Sequence, residues 1–66
     1  MKIYNFVERE LQKFRNECNF TEEESQVFEL KAKNKSNEFI AQELHISLSK
    51  ANRIIRQIKK KILKVI

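Results

Sequence analysis

The chain has 66 residues, of which 35% are charged, and it contains no Gly and no Pro. A chain of this length fits a single domain, residues 1–66, with a thin core, because a domain of about 60 residues buries only about 60% of the surface of its unfolded chain. Nothing supplies the tight turns that hairpins need, which favours an all-helical fold. Cys18 and His45 are the only residues of their kinds, which excludes an internal disulfide and a Cys/His zinc site.

The sequence gives no indication of catalysis. Cys18 falls on a predicted apolar helix face, His45 is distant from it in the chain, and no glycine loop is present to hold a phosphate. We therefore expect no enzyme, no catalytic residue, no cofactor and no metal. The N-terminus lacks a basic segment followed by a long apolar run, so we expect a soluble cytoplasmic protein with no membrane partner.

The charge is distributed unevenly along the chain. Residues 1–46 hold seven Lys or Arg against nine Glu, a net of −2, whereas residues 47–66 hold seven basic residues and no acid, a net of +7. The basic residues of this second segment are Lys50, Arg53, Arg56, Lys59, Lys60, Lys61 and Lys64. Such asymmetry indicates a polyanionic partner, because each basic group that neutralises a phosphate releases condensed counterions. A solvated helix face is the plainer alternative.

Apolar periodicity predicts four helices, at about residues 3–18, 22–33, 37–44 and 48–65. The first is an N-terminal support helix. Thr21 and Glu24 have the spacing of a capping box at the start of the second, and Asn34 is a suitable left-handed residue at its end. Ser36 and Ser47 are the expected N-caps of the third and fourth helices.

The third and fourth predicted helices have the pattern of a helix-turn-helix. If Asn37 is taken as the first position of the motif, apolar residues occupy the five sites at which the two helices and their turn must pack. These are Ile40, Leu44, Ile46, Ala51 and Ile54, with Ala41 as the small residue at the closest approach. The usual turn glycine is replaced by His45, a residue type enriched at positive φ but costlier there than Gly.

At about 100° per residue, the last helix has an apolar arc and an opposite polar arc. Amides such as Asn52 form paired hydrogen bonds with adenine, arginines such as Arg53 do so with guanine, and lysines suit phosphates. The predicted DNA-binding residues are Ser47, Ser49, Lys50, Asn52, Arg53, Arg56, Gln57, Lys60 and Lys64. Lys59 and Lys61 are expected to add phosphate contacts.

Residues 20–47 resemble the helix-turn-helix of LuxR/GerE-type regulators and of bacterial sigma factor region four. Lys35-Ser36-Asn37 followed by Ile40-Ala41-x-x-Leu44-x-Ile46-Ser47 is closest to LuxR/GerE, while Val27-Phe28-Glu29-Leu30 and Lys60-Lys61-Ile62 are similar to region four. The resemblance covers about residues 20–62. It implies DNA-binding transcriptional control, with recognition residues in the first two turns after Ser47. Lys50-Ala51 stands where the family usually has Thr-Val.

Three functions remain open from the sequence. The leading one is a DNA-binding transcriptional regulator of bacterial or phage type that reads the major groove with its C-terminal helix. The second is a region-four-like module whose partner is RNA polymerase, and the third is a protein-interaction module without DNA. A homodimer is also expected, and its surface is either the apolar face of the first helix or the apolar end of the last. Those two sets are Ile3, Phe6, Val7, Leu11 and Phe14, and Ile62, Leu63, Val65 and Ile66.

Overall fold

A computed structural model describes residues 2–66 of the chain. It contains four α-helices, α1 (Glu8–Glu17), α2 (Glu22–Ala32), α3 (Asn37–Glu43) and α4 (Leu48–Val65), after a short 3-10 turn at Ile3–Asn5. No strand occurs between residues 2 and 66. The predicted all-helical, four-helix fold is confirmed, and α2, α3 and α4 agree with their predicted bounds to within one residue. Over the same residues, no helix is long and apolar enough to cross a membrane.

The first helix was predicted wrongly at its start. Phe6 and Val7 have extended backbone, with ψ of 143° and 162°, so α1 begins only at Glu8. The backbone N–H of Val7 donates to the Glu10 carboxylate at 3.1 Å, which caps the helix. The break brings Ile3 into the core, where it is 1% exposed. The extended residues before Glu8 thus place an additional apolar side chain, Ile3, in a thin core.

The predicted N-caps are all present. Thr21 Oγ1 accepts from the backbone N–H of Glu24 at 3.2 Å, and the Glu24 carboxylate accepts from the N–H of Thr21 at 3.0 Å, which completes the capping box. Ser36 and Ser47 accept the N–H of the third residue of α3 and α4, at 3.0 and 3.1 Å. Each cap satisfies a backbone donor that has no partner within its helix.

Two helices end in Schellman motifs built without glycine. Asn34 and His45 adopt left-handed backbone, with φ of 62° and 57°, as their predicted turn roles require. The N–H of Ile46 then donates to the carbonyl of Ala41 at 2.9 Å, which closes α3. Asn19 is a third left-handed residue, with φ of 55°, and the sequence pattern did not identify it.

The core forms around α4. This helix packs against each of the other three, and its 18 residues span about 27 Å of a molecule 29 Å long. Its buried residues are Ala51, Ile54, Ile55, Ile58 and Ile62. Facing them, Val27 and Phe28 of α2 and Ile40 of α3 are fully buried. Phe39, the apolar neighbour of Ile40 on α3, is instead 40% exposed, with the Lys35 ammonium 5.1 Å from its ring centroid.

Truncation of the central core residue of α4 provides a test of this packing. Ile58 is 0% exposed, so Ile58→Ala should lower the free energy of unfolding by about 2–5 kcal/mol, through lost burial and a residual cavity. The exposed neighbour Gln57 provides the control, and Gln57→Ala should change it by less than about 0.5 kcal/mol. Urea unfolding followed by circular dichroism measures both. Equal losses in the two variants would contradict the assignment of the buried face.

Candidate nucleic-acid interface

The face of α4 opposite its buried stripe carries most of the residues predicted to bind DNA. Because residues three and four apart share a helix face, burial of the isoleucines turns the intervening polar residues outward. The exposed predicted residues within α4 are Ser49, Asn52, Arg53, Arg56, Gln57, Lys60 and Lys64. Ser47 precedes them as the N-cap. The structure therefore brings these predicted site residues onto one side of the molecule.

Two glutamates of α2 engage two of the basic residues of α4. Lys50 Nζ lies 3.4 Å from Glu23 Oε2, and Lys61 Nζ lies 2.5 Å from Glu24 Oε1. Lys61 also donates to the backbone carbonyl of Asn19 at 3.4 Å. These contacts place Lys50 and Lys61 on the flank of α4 that packs toward α2. Lys61, expected from the sequence to contact phosphate, is instead held within the fold.

The other five basic residues of α4 make no ion pair within residues 2–66. They are Arg53, Arg56, Lys59, Lys60 and Lys64. No side chain in this group is buried, and only Lys59 is partly covered. This set, with Ser49, Asn52 and Gln57, is called the outward face below. Its chemistry is that of a donor-rich cationic surface, since Arg and Lys offer hydrogen-bond donors and no acceptor.

The Glu24–Lys61 pair is more enclosed than a typical surface ion pair. The Glu24 side chain is 12% exposed and that of Lys61 is 31% exposed. Burial by itself would raise the pKa of Glu24, but the hydrogen bonds from Lys61 and from the backbone of Thr21 outweigh it, so this pKa lies below its ordinary value. The pair therefore joins the capping box of α2 to the C-terminal half of α4.

A cleft of about 400 Å³ separates the beginning of α3 from α4, and Asn52 lies on its wall. Asn52 Oδ1 accepts a hydrogen bond from Asn37 Nδ2 at 2.8 Å, and Asn37 Oδ1 accepts one from Lys31 Nζ at 3.1 Å. The sequence pattern places Asn37 at the first position of the helix-turn-helix and assigns Lys31 no role at the interface. No periodic signal could have paired them, because the contact depends on how three helices pack.

Cys18 lacks the setting of a reactive thiol. It is 6% exposed, and burial, together with the nearby charge of Glu17, raises its pKa, so the thiol form prevails at neutral pH. Across residues 2–66 no three His, Cys, Asp or Glu side chains are grouped as metal ligands would be.

No family model matches the chain, and no curated protein and no solved structure is significantly similar to it. The resemblance to LuxR/GerE domains and to sigma region four stays a prediction.

The Glu24–Lys61 pair predicts a pH-dependent contribution to stability. Because the pKa of Glu24 is lowered by folding, its contribution is present above its unfolded pKa and is lost as the pH falls through the folded value. Glu24→Gln should lower the free energy of unfolding by about 1 kcal/mol at pH 7, and the difference should shrink below about pH 4.5. Urea unfolding at several pH values measures it.

Glu22→Gln is the matched control, since Glu22 is an exposed glutamate of the same helical turn. It should show a smaller effect at pH 7. A Glu24→Gln deficit that persists unchanged at pH 3 would show that the ion pair is not its cause.

Proposed function

We propose that this chain is a DNA-binding module of a transcriptional regulator, in which α3, the four-residue turn Leu44–Ser47 and α4 act as a helix-turn-helix. The observation that carries the proposal is the outward face, where five basic residues make no ion pair within residues 2–66. Four of them are exposed on the side of α4 opposite the core, and the fifth, Lys59, lines the cleft toward α3. A B-DNA major groove is about 12 Å wide and admits one α-helix. In this proposal α4 enters that groove with its outward face.

The outward face divides into a reading half and an anchoring half. Ser49, Asn52 and Arg53 lie in the first two turns of α4, the part that reaches base edges in helix-turn-helix proteins. Lys60 and Lys64 lie in the last two turns, where flexible ammonium groups suit phosphates better than base edges. Arg56 and Gln57 lie between these halves.

The proposal includes a homodimer, whose surface is narrower than the sequence suggested. Ile3, Leu11 and Phe14 of the predicted N-terminal surface are buried in the core, and so is Ile62. Leu63 and Ile66 remain 64% and 71% exposed near the end of α4, and Val7 of the N-terminal set remains 57% exposed. Leu63 and Ile66 favour a protein contact at the end of α4, with a second copy or, in the region-four-like alternative, with RNA polymerase.

Duplex binding with a strong dependence on salt is the first expectation. Each phosphate neutralised contributes about −0.9 to the slope of log K against log salt, so contacts from all five free basic residues would give about −4.5. A fluorescence titration on duplex DNA at several salt concentrations measures this slope. Absence of binding at low salt would reject the DNA function and favour the protein-interaction alternative.

Arg53 and Lys64 should differ in what they contribute. Arg53→Ala should weaken binding to a selected site by about 1–3 kcal/mol and relax base preference there, whereas Lys64→Ala should weaken specific and random duplexes alike. Lys13→Ala removes an exposed basic residue from α1 and serves as the control. Competition titrations against both kinds of duplex measure the two effects. Equal losses of Arg53→Ala on specific and random DNA would show that the first turns of α4 do not read bases.

A further inference from the structure

A chain of hydrogen bonds connects three helices and ends on the outward face. Lys31 Nζ, in the last turn of α2, donates to Asn37 Oδ1 at 3.1 Å. Asn37 Nδ2, at the first position of α3, donates to Asn52 Oδ1 of α4 at 2.8 Å. Lys31 is itself held by a hydrogen bond to the backbone carbonyl of Lys35 at 3.3 Å. This chain is called the amide relay below.

The direction of the amide relay is set by Lys31. An ammonium group has three donors and no acceptor, whereas an amide side chain has a donor end and an acceptor end. Asn37 must therefore turn its Oδ1 toward Lys31, which leaves its Nδ2 for Asn52. Asn52 must in turn present Oδ1 to Asn37. Its own Nδ2 makes no hydrogen bond within residues 2–66 and remains available on the exposed side of α4.

We propose that the amide relay makes Asn52 a hydrogen-bond donor toward DNA, so that the module selects a keto base at the position below Asn52. This inference rests on the proposed DNA-binding function. In the major groove, guanine presents the acceptors N7 and O6 and thymine presents the acceptor O4, whereas adenine presents the acceptor N7 beside the donor N6 and cytosine presents the donor N4. With Oδ1 held toward Asn37, Asn52 presents its Nδ2 donor to the base. Guanine and thymine match this donor without placing an amino group beside it, whereas adenine and cytosine both place an amino group there. Lys31 and Asn37 are then positioning residues that do not touch the base.

This selection differs from the paired contact with adenine that an unrestrained asparagine makes. That contact uses both ends of the amide, with Oδ1 accepting from N6 and Nδ2 donating to N7. In this chain the hydrogen bond from Asn37 at 2.8 Å holds Oδ1 toward α3, so a base that needs only the Nδ2 donor is favoured over one that also needs Oδ1. Rotation of the Asn52 amide by 180° would put two donors opposite each other and break the relay. The energetic cost of losing the Asn37–Asn52 hydrogen bond therefore maintains the preference for a keto base over adenine.

Binding-site selection from random duplexes, run on the full chain and its variants, tests the inference. The wild-type protein should favour guanine or thymine by about fivefold at one base position, the ratio expected for one net hydrogen bond. Asn37→Ala frees the Asn52 amide, so the selected base at that position should become adenine. Lys31→Glu should reverse the relay, because a carboxylate only accepts, and the selected base should become adenine or cytosine.

Two further variants are controls. Asn52→Ala should lose the preference at that position and keep it elsewhere. Lys33→Glu makes the same change of charge at an exposed lysine close to Lys31, and it should leave the selected base unchanged. Circular dichroism checks that each variant folds, and the two relay variants are independent of one another, so a folding failure of one leaves the other as the test.

The outcomes separate the inference from its premise. If the wild type, Asn37→Ala and Lys31→Glu all select the same base at every position, the inference is overturned and the DNA-binding function stands. If Asn52→Ala keeps the wild-type preference, Asn52 does not read a base and the inference is likewise overturned. If the wild type selects no duplex, the proposed function itself fails and the inference fails with it.

Discussion

Burial of the isoleucine stripe of α4 is the interaction on which the rest of this structure depends. The other three helices all pack against α4, and Ile58 and Ile62 in its C-terminal half are fully buried. A chain of this length forms only one hydrophobic core, so its stability depends on this packing. The same burial fixes the rotation of α4 about its axis, because any other rotation would expose part of the isoleucine stripe. Core packing therefore also determines which basic side chains face outward.

Polar contacts with α2 then separate the basic residues of α4 into two groups. Lys50 and Lys61 pair with Glu23 and Glu24 on one flank, and the basic residues of the outward face make no ion pair within residues 2–66. The two pairs differ in strength. Lys50–Glu23 is about half exposed, so screening by water leaves it little effect on stability. The Glu24 carboxylate is largely enclosed and also caps α2, so it contributes to the orientation of two helices.

The amide relay connects Lys31, which lies outside the outward face, to Asn52 on that face. Two features bring its members together: the left-handed turn at Asn34, which reverses the chain after α2, and the packing of α3 on α4. Lys31 then orients an amide on α3, which orients another on α4. In such an arrangement the hydrogen-bonding character of Asn52 is a property of three helices, although Asn52 alone reaches the outward face.

The sequence by itself determined the helical fold, because local signals dominate it. Apolar periodicity, the capping box at Thr21 and Glu24, and the left-handed Asn34 and His45 act within a few residues, and the structure has all of them. Only the tertiary structure decided the break before Glu8, the exposure of Phe39, the pairing of Lys61 and the amide relay. Each of these depends on residues that are distant in the chain and become neighbours only when the helices pack. Periodicity places a residue on a face of its own helix, but it does not say what lies across from that face.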